Sequence, residues 1–363
     1  MFSTMIWNST KSSGNSMFFN ELDGNQRRQL IDTQQAFAAW QLAHRDHGHR
    51  FAGSMRWVAR KGGEYLLRKL GKTETSLGRR GVDTEAAYQA FQSGRSANSE
   101  RLKGLSAQID KLAPVNRAMG LGRVPVTAAR VLRVMDEQGL LGTRLFVVGT
   151  NALYAYEAAA GVQFATALTA SRDIDLLLDA RRRISLAYQN HQERGLIGLL
   201  KRADASFTAE GRTFRAFNKD GYMVDLIRPE PKDVFRSKLP VGLSELAEDL
   251  EGAPIHGLDW LINAPKFEAV ALDERGYPVR LVAADPRAFA LHKAWISGRQ
   301  DREPLKAERD LAQARASAQL ATRHLNLNFE GSELTALPAA LMDQRDQFEE
   351  EPAAPWLSEK PNW

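Results

Sequence analysis

Residues 171–180 read SRDIDLLLDA, and two aspartates stand at the mouth of an apolar run. Asp173 and Asp175 flank Ile174, and Leu176, Leu177 and Leu178 follow. A strand entering a core sheds its charges unless something compensates them. Read as a strand, the run places residues i and i+2 on one face, about 6.6 Å apart along the chain. The two carboxylates then stand side by side while Ile174 turns into the core. Carboxylates so placed raise one another's pKa unless a cation sits between them. The economical cation is Mg2+, which takes one or two carboxylates plus phosphate oxygens. Asp and Glu make up 44 of 363 residues, so an acidic-x-acidic triplet alone says little and its surroundings must carry the weight.

Two surroundings matter. Upstream, residues 147–157 read VVGTNALYAYE, a strand, a glycine, a hydroxyl residue and then a helix. Backbone N–H groups at such a helix start can receive an anion, and Thr150 adds a hydroxyl. The plainer alternative makes Gly149 a turn residue and Thr150 a helix cap. Downstream, residues 221–229 read GYMVDLIRP, where Asp225 sits between Val224 and Leu226 with no partner nearby in sequence. Burying an unpaired carboxylate is costly, so this third acid also needs a cation or a function.

The Gly149-Thr150 turn, the Asp173/Asp175 pair behind Ser171, and the single Asp225 on a later strand together resemble the nucleotidyltransferase superfamily. Its members include DNA polymerase beta, the CCA-adding enzymes, aminoglycoside nucleotidyltransferases and AbiEii-type toxin enzymes. The motifs cover residues 120 to 230, and the chain looks most like a bacterial branch with little functional characterisation. By that resemblance Asp173 and Asp175 bridge two Mg2+ ions, and Asp225 completes the metal site and helps activate an attacking hydroxyl. Gly149, Thr150 and Ser171 would lie against the phosphates of a bound NTP. The later stretch FALHKAWISGRQDREPLKAERDLAQA resembles the segment after the palm in AbiEii-like enzymes, which makes Lys293 the phosphate candidate with Lys306 and Asp310 in support. Lys306 and Asp310, four apart on a helix, also read as a surface ion pair. The resemblance implies transfer of an NMP to RNA, tRNA, protein or a small molecule, with toxicity or phage defence as a cellular role.

Element order gives the fold class α+β. Helices and short strands alternate over 126–229, which suits a mixed sheet with helices on it. The expected organisation is a disordered leader (1–25), a helical region with a small basic β-meander (26–115), and a palm (120–232). A subdomain of β-hairpin plus helices (233–342) and a disordered acidic tail (343–363) follow. An amphipathic helix is expected over 26–46, a meander turning at Gly62-Gly63 over 55–80, and helix over 84–112 and 181–200. The Gly62-Gly63 pair lacks the strand-to-helix setting of a phosphate loop and reads as a hairpin turn. His44, His47 and His49 fit no metal spacing and read as a wet loop.

Composition narrows the classes. The absence of cysteine excludes disulfides and thiolate metal sites and fits a reducing cytoplasm. No apolar run approaches the ~20 residues of a membrane span, and the first residues lack the pattern of a secretory signal. Residues 51–104 hold 11 Lys/Arg against 5 Asp/Glu, a surplus larger than the whole chain's +5. Such a patch attracts polyanions or simply faces water. The second functional reading is therefore a non-catalytic module binding RNA or DNA through Arg56, Arg60, Lys61, Arg68, Lys69, Arg79 and Arg80. Oligomeric state is not legible.

Overall fold

The computed structural model describes residues 18–181, 195–231 and 240–349 except 245 and 247. The chain divides into two compact units, each assembled from discontinuous stretches. Strand β1 (Phe19–Glu21) opens the first unit, which resumes at Val124. Between them lies the bulk of the second unit, Gly24–Arg123, joined by Leu272–Pro278.

In the second unit, helix α1 (Gly24–Gly48) packs on helix α2 (Val82–Ala118). The buried positions Leu30, Thr33, Phe37 on one and Ile109, Ala113, Asn116 on the other recur at three to four residues, the spacing of one helix face. Polar ties fix their alignment: Gln29 and Thr33 donate to the side-chain oxygen of Asn116, and Asn98 donates to Ala43 O. The second helix outruns its expected end at 112 and passes through Pro114, its last turn held by the Asn116 amide donating to Gly276 O. Strands β2 (Ser54–Arg60), β3 (Gly63–Leu70) and β4 (Thr73–Arg79) form the expected antiparallel meander, with Gly62 and Gly63 at positive φ in the turn. Two of the three clustered histidines are helical, and only His49 lies in the turn that follows. His44 and His47 lie on α1, which meets no glycine between its first residue and Gly48, and His44 stacks on Trp40 at 4.8 Å.

The first unit continues with α3 (Val126–Glu137), β5 (Leu145–Val148), α4 (Leu153–Ala160), β6 (Val162–Phe164), α5 (Thr166–Thr169) and β7 (Asp173–Leu178). Then come α6 (Gly195–Ala203), β8 (Arg215–Phe217), β9 (Met223–Pro229), β10 (Ala253–Ile255), α7 (Leu258–Asn263), β11 (Lys266–Leu272) and β12 (Pro278–Ala284). The long helices α8 (Pro286–Ser297) and α9 (Pro304–His324) each start on proline, whose missing N–H costs nothing there. Short α10 (Ala339–Met342) and α11 (Asp346–Glu349) close it.

A mixed sheet of order β10-β9-β7-β5-β12-β11 forms the centre, with β8 and β10 sharing the outer edge of β9. Strand β7 runs parallel to β9 and antiparallel to β5. Every residue of Leu145–Val148 and of 176–178 is buried, as strands covered on both faces require. The α+β class and the sheet with its helices are as expected from the sequence. Three boundaries change. The hairpin β11–β12 belongs to the central sheet rather than to a separate C-terminal subdomain, because β12 pairs parallel with β5 and its Val279, Leu281, Val282 and Ala283 are core residues. The leader is not formless to residue 25: β1 pairs with β6, and Phe19 packs edge-on against Phe164. The tail is helical to Glu349, with Phe348 against Phe329 at 5.3 Å. Residues 1–17 of the leader, 350–363 of the tail and 182–194 of the expected 181–200 helix lie outside the described residues.

Candidate active site

Register brings the acids together. Across β7 and β9 Asp175 stands opposite Asp225, and across β5 and β7 Val148 stands opposite Asp175. Asp173 pairs with Met223 one pleat earlier, so all three acids lie on one face of the sheet, with Ile174 and Val224 buried on the other. Ser171 donates to Asp173 Oδ1, and the buried Asn151 amide donates to Asp173 O at 2.7 Å.

Gly149 follows Val148 and turns the chain with φ +63. A Cβ at this glycine would stand 2.1 Å from Asp175 Oδ2, so the turn and the second acid are in direct contact and no side chain fits between them. Thr150 does not cap a helix. It lies within the 3-10 turn Gly149–Ala152, and its hydroxyl accepts from Arg309 and Gln313 of α9, each at 3.2 Å. Gln313 also donates to Leu168 O and Arg309 to Ala170 O, so α9 braces the turn against the segment leading into β7.

The remaining expected residues separate. Lys293 is mostly buried and donates to Asp310 at 2.6 Å, while Arg302 holds the other Asp310 oxygen. Lys306 is not gathered with them: it is exposed and pairs with Glu303 instead of Asp310. Arg309, Gln313, Asn151 and Arg302 were not singled out in sequence, since nothing in their own stretches marks the contacts they make. Arg215 was also missed. It grips Asp225 with two hydrogen bonds, Nε–Oδ1 at 2.7 Å and Nη2–Oδ2 at 2.5 Å.

Burial raises the Asp175 carboxyl from its ordinary 3.8 to about 7, and the charges of Asp173 and Asp225 push it the same way against Lys293 and Arg215. A raised carboxyl pKa has a definite sign. The folded chain holds this proton up to about pH 7 while the unfolded chain releases it near 4, so stability falls as pH rises through that window. The loss is bounded by roughly 4 kcal/mol and trimmed by the group's partial exposure. Metal-free melts at pH 5 and pH 8 are expected to show wild type losing several degrees more than Asp175→Asn; parallel profiles would refute the assignment.

The donor set consists of hard carboxylate oxygens on neighbouring strands, which suits Mg2+ in kind. Among the described residues no three His, Asp or Glu side chains are close enough to enclose an ion as they stand, and both Asp225 oxygens are engaged by Arg215.

Such a mixed sheet with helices on it, and acids on adjacent strands beside a Gly-Thr turn, is consistent with a nucleotidyltransferase fold. Residues 127–338, more than half of the chain, match the family described as Nucleotidyltransferase, and the chain belongs to that family. The match takes in every residue of the site described above. No curated protein and no solved structure matches the chain. No helix among the described residues is long and apolar enough to cross a membrane.

Proposed function

We propose that the protein transfers an NMP from an NTP to an acceptor hydroxyl with the help of Mg2+. What chiefly supports this is the contact of Asp175 with the Gly149 turn while Asp175 is in register with Asp225. In this reading Asp173, Asp175 and Asp225 would hold the ions, whose number, two, follows from the resemblance to the superfamily. When bound, Mg2+ neutralises charge on the triphosphate and on the oxygens that attack and leave.

The chain's own residues orient the substrates. Backbone N–H groups of the Gly149-Thr150 turn receive phosphate oxygens, and Arg309 and Gln313 keep that turn fixed relative to β7. Lys293, whose charge is felt at Asp175, adds a cation on the phosphate side, with Asp310 holding its ammonium in place. The acceptor oxygen forms a bond to the α-phosphorus, the bond from that phosphorus to the bridging oxygen breaks, and pyrophosphate leaves. The acceptor's proton passes to a carboxylate at the Asp225 end or to water.

RNA and tRNA lead the acceptor panel. In the meander Arg56 pairs with Glu74, Arg80 pairs with Glu64 and Glu85, and Arg68 donates to Arg50 O. Arg60, Lys61, Lys69, Lys72 and Arg79 have no ion pair among the described residues and present charge that a polyanion would meet. The test incubates the full chain with each α-labelled NTP, Mg2+ and acceptors from tRNA and total RNA to protein extract and aminoglycosides. Label should move to one acceptor with release of pyrophosphate, and EDTA should abolish it. No transfer to any acceptor, or equal transfer in EDTA, overturns the reading.

A further inference from the structure

Asp225 is 6% exposed, and Arg215 occupies both of its oxygens through the parallel fork that makes arginine–carboxylate pairs strong. The two residues stand opposite one another across the antiparallel pair β8–β9, so the backbone register itself delivers the guanidinium to the acid. The Arg215 side chain is 41% exposed, with its guanidinium carbon 5.4 Å from the centre of the outlying Phe214 ring, and it can leave Asp225 without unpacking the core. Another paired acid contrasts with it. Asp285 is gripped by Arg287 in the same two-point manner, but Arg287 is 4% exposed and buried at the start of the helix that Asp285 itself caps.

A two-point arginine takes two of a carboxylate's roughly four lone-pair positions, and its charge opposes a divalent ion arriving at the others, so the two cations compete for one acid. We propose that Arg215 is the resident counter-cation of Asp225, with which a divalent ion competes, so that Arg215 sets how tightly the nucleotide-free protein takes that ion. This inference rests on the nucleotidyltransferase reading, in which Asp225 is a metal ligand. It accounts for a donor set that is right in kind and yet encloses no ion site of three acids as it stands. Arg215 is thus a positioning residue, acting through Asp225.

Calorimetric titration of Mg2+ and of Mn2+ into the full chain without nucleotide tests it. Arg215→Ala is expected to bind roughly tenfold more tightly than wild type, the worth of a charge-assisted hydrogen-bonded pair that no longer competes. Arg215→Lys, which keeps the charge and loses the fork, should fall between them and decides the matter should the alanine variant not fold. Equal or weaker binding by these variants overturns the proposal and leaves the enzymatic reading standing. Tightening that persists in an Asp225→Asn background overturns it as well, because the arginine would then act as a diffuse charge and not through this acid. Absence of cation binding in wild type and all variants sinks the metal-dependent reading and takes this proposal with it.

Discussion

Asp175→Asn is expected to lower nucleotidyl transfer roughly a thousandfold and, at pH 8, to raise the melting temperature of the metal-free protein by a few degrees. The first effect follows from charge. A carboxylate that helps hold a divalent ion against a triphosphate contributes several kcal/mol of transition-state stabilisation, and each ~1.4 kcal/mol lost is tenfold in rate. The second follows from the environment of the acid. Asp175 is pushed to about 7 by burial and by Asp173 and Asp225, so its charged form is held at a cost that a neutral amide of the same shape does not incur. Function and stability are therefore expected to oppose one another at this position. Single-turnover transfer and thermal melts in chelator measure the two effects on one preparation. Retained transfer would remove Asp175 from the catalytic group, and a lower melting point would show that its charge is compensated in the folded chain.

Gly149→Ala is expected to reduce turnover about a hundredfold and to lower the melting temperature by a few degrees. Two independent causes act there. At φ +63 a residue with a Cβ costs about 1–2 kcal/mol. The new methyl would also stand 2.1 Å from Asp175 Oδ2 and must drive that carboxylate aside. Displacing a reacting group by about 1 Å is enough for a hundredfold loss. Turnover within a factor of a few of wild type would mean that the turn and the acid do not act together. Comparison with Gly139, which also has positive φ but has nothing within 4 Å of its would-be Cβ, isolates the steric contribution: Gly139→Ala should lose stability and keep turnover.

The charges were legible in sequence because they violate the pattern around them. Asp173, Asp175 and Asp225 interrupt runs that otherwise bury almost completely, and a strand reading was enough to set Asp173 and Asp175 on one face. Their convergence with Asp225 was implied by the family resemblance alone, since residue patterns carry no sign that β7 lies beside β9. The contact of Gly149 with Asp175 is set by a pairing 26 residues away in the chain, and that of Thr150 with α9 by one about 160 residues away. The hairpin β11–β12 reads as part of a C-terminal subdomain for the same reason: the parallel pairing of β12 with β5 leaves no mark on either segment. Arg215 differs from these. The turn at Lys219-Asp220-Gly221 is readable, and centring a hairpin on Asp220 sets residue 215 opposite residue 225 by arithmetic alone. The signal was present and needed only the register to be followed outward from the turn.

The stretch matching the family, residues 127–338, does not contain all of its own structural neighbours. Excised at those limits, it would forfeit Phe19–Glu21, the edge partner of Val162–Phe164. It would also retain Leu272–Pro278 while discarding the groups that satisfy it, the Asn116 amide at Gly276 O and the Arg123 N–H at Leu272 O. Trimming, grafting or swapping this enzyme therefore cannot follow the borders of its homology, because the smallest piece that inherits a complete set of neighbours begins well upstream of the first matched residue.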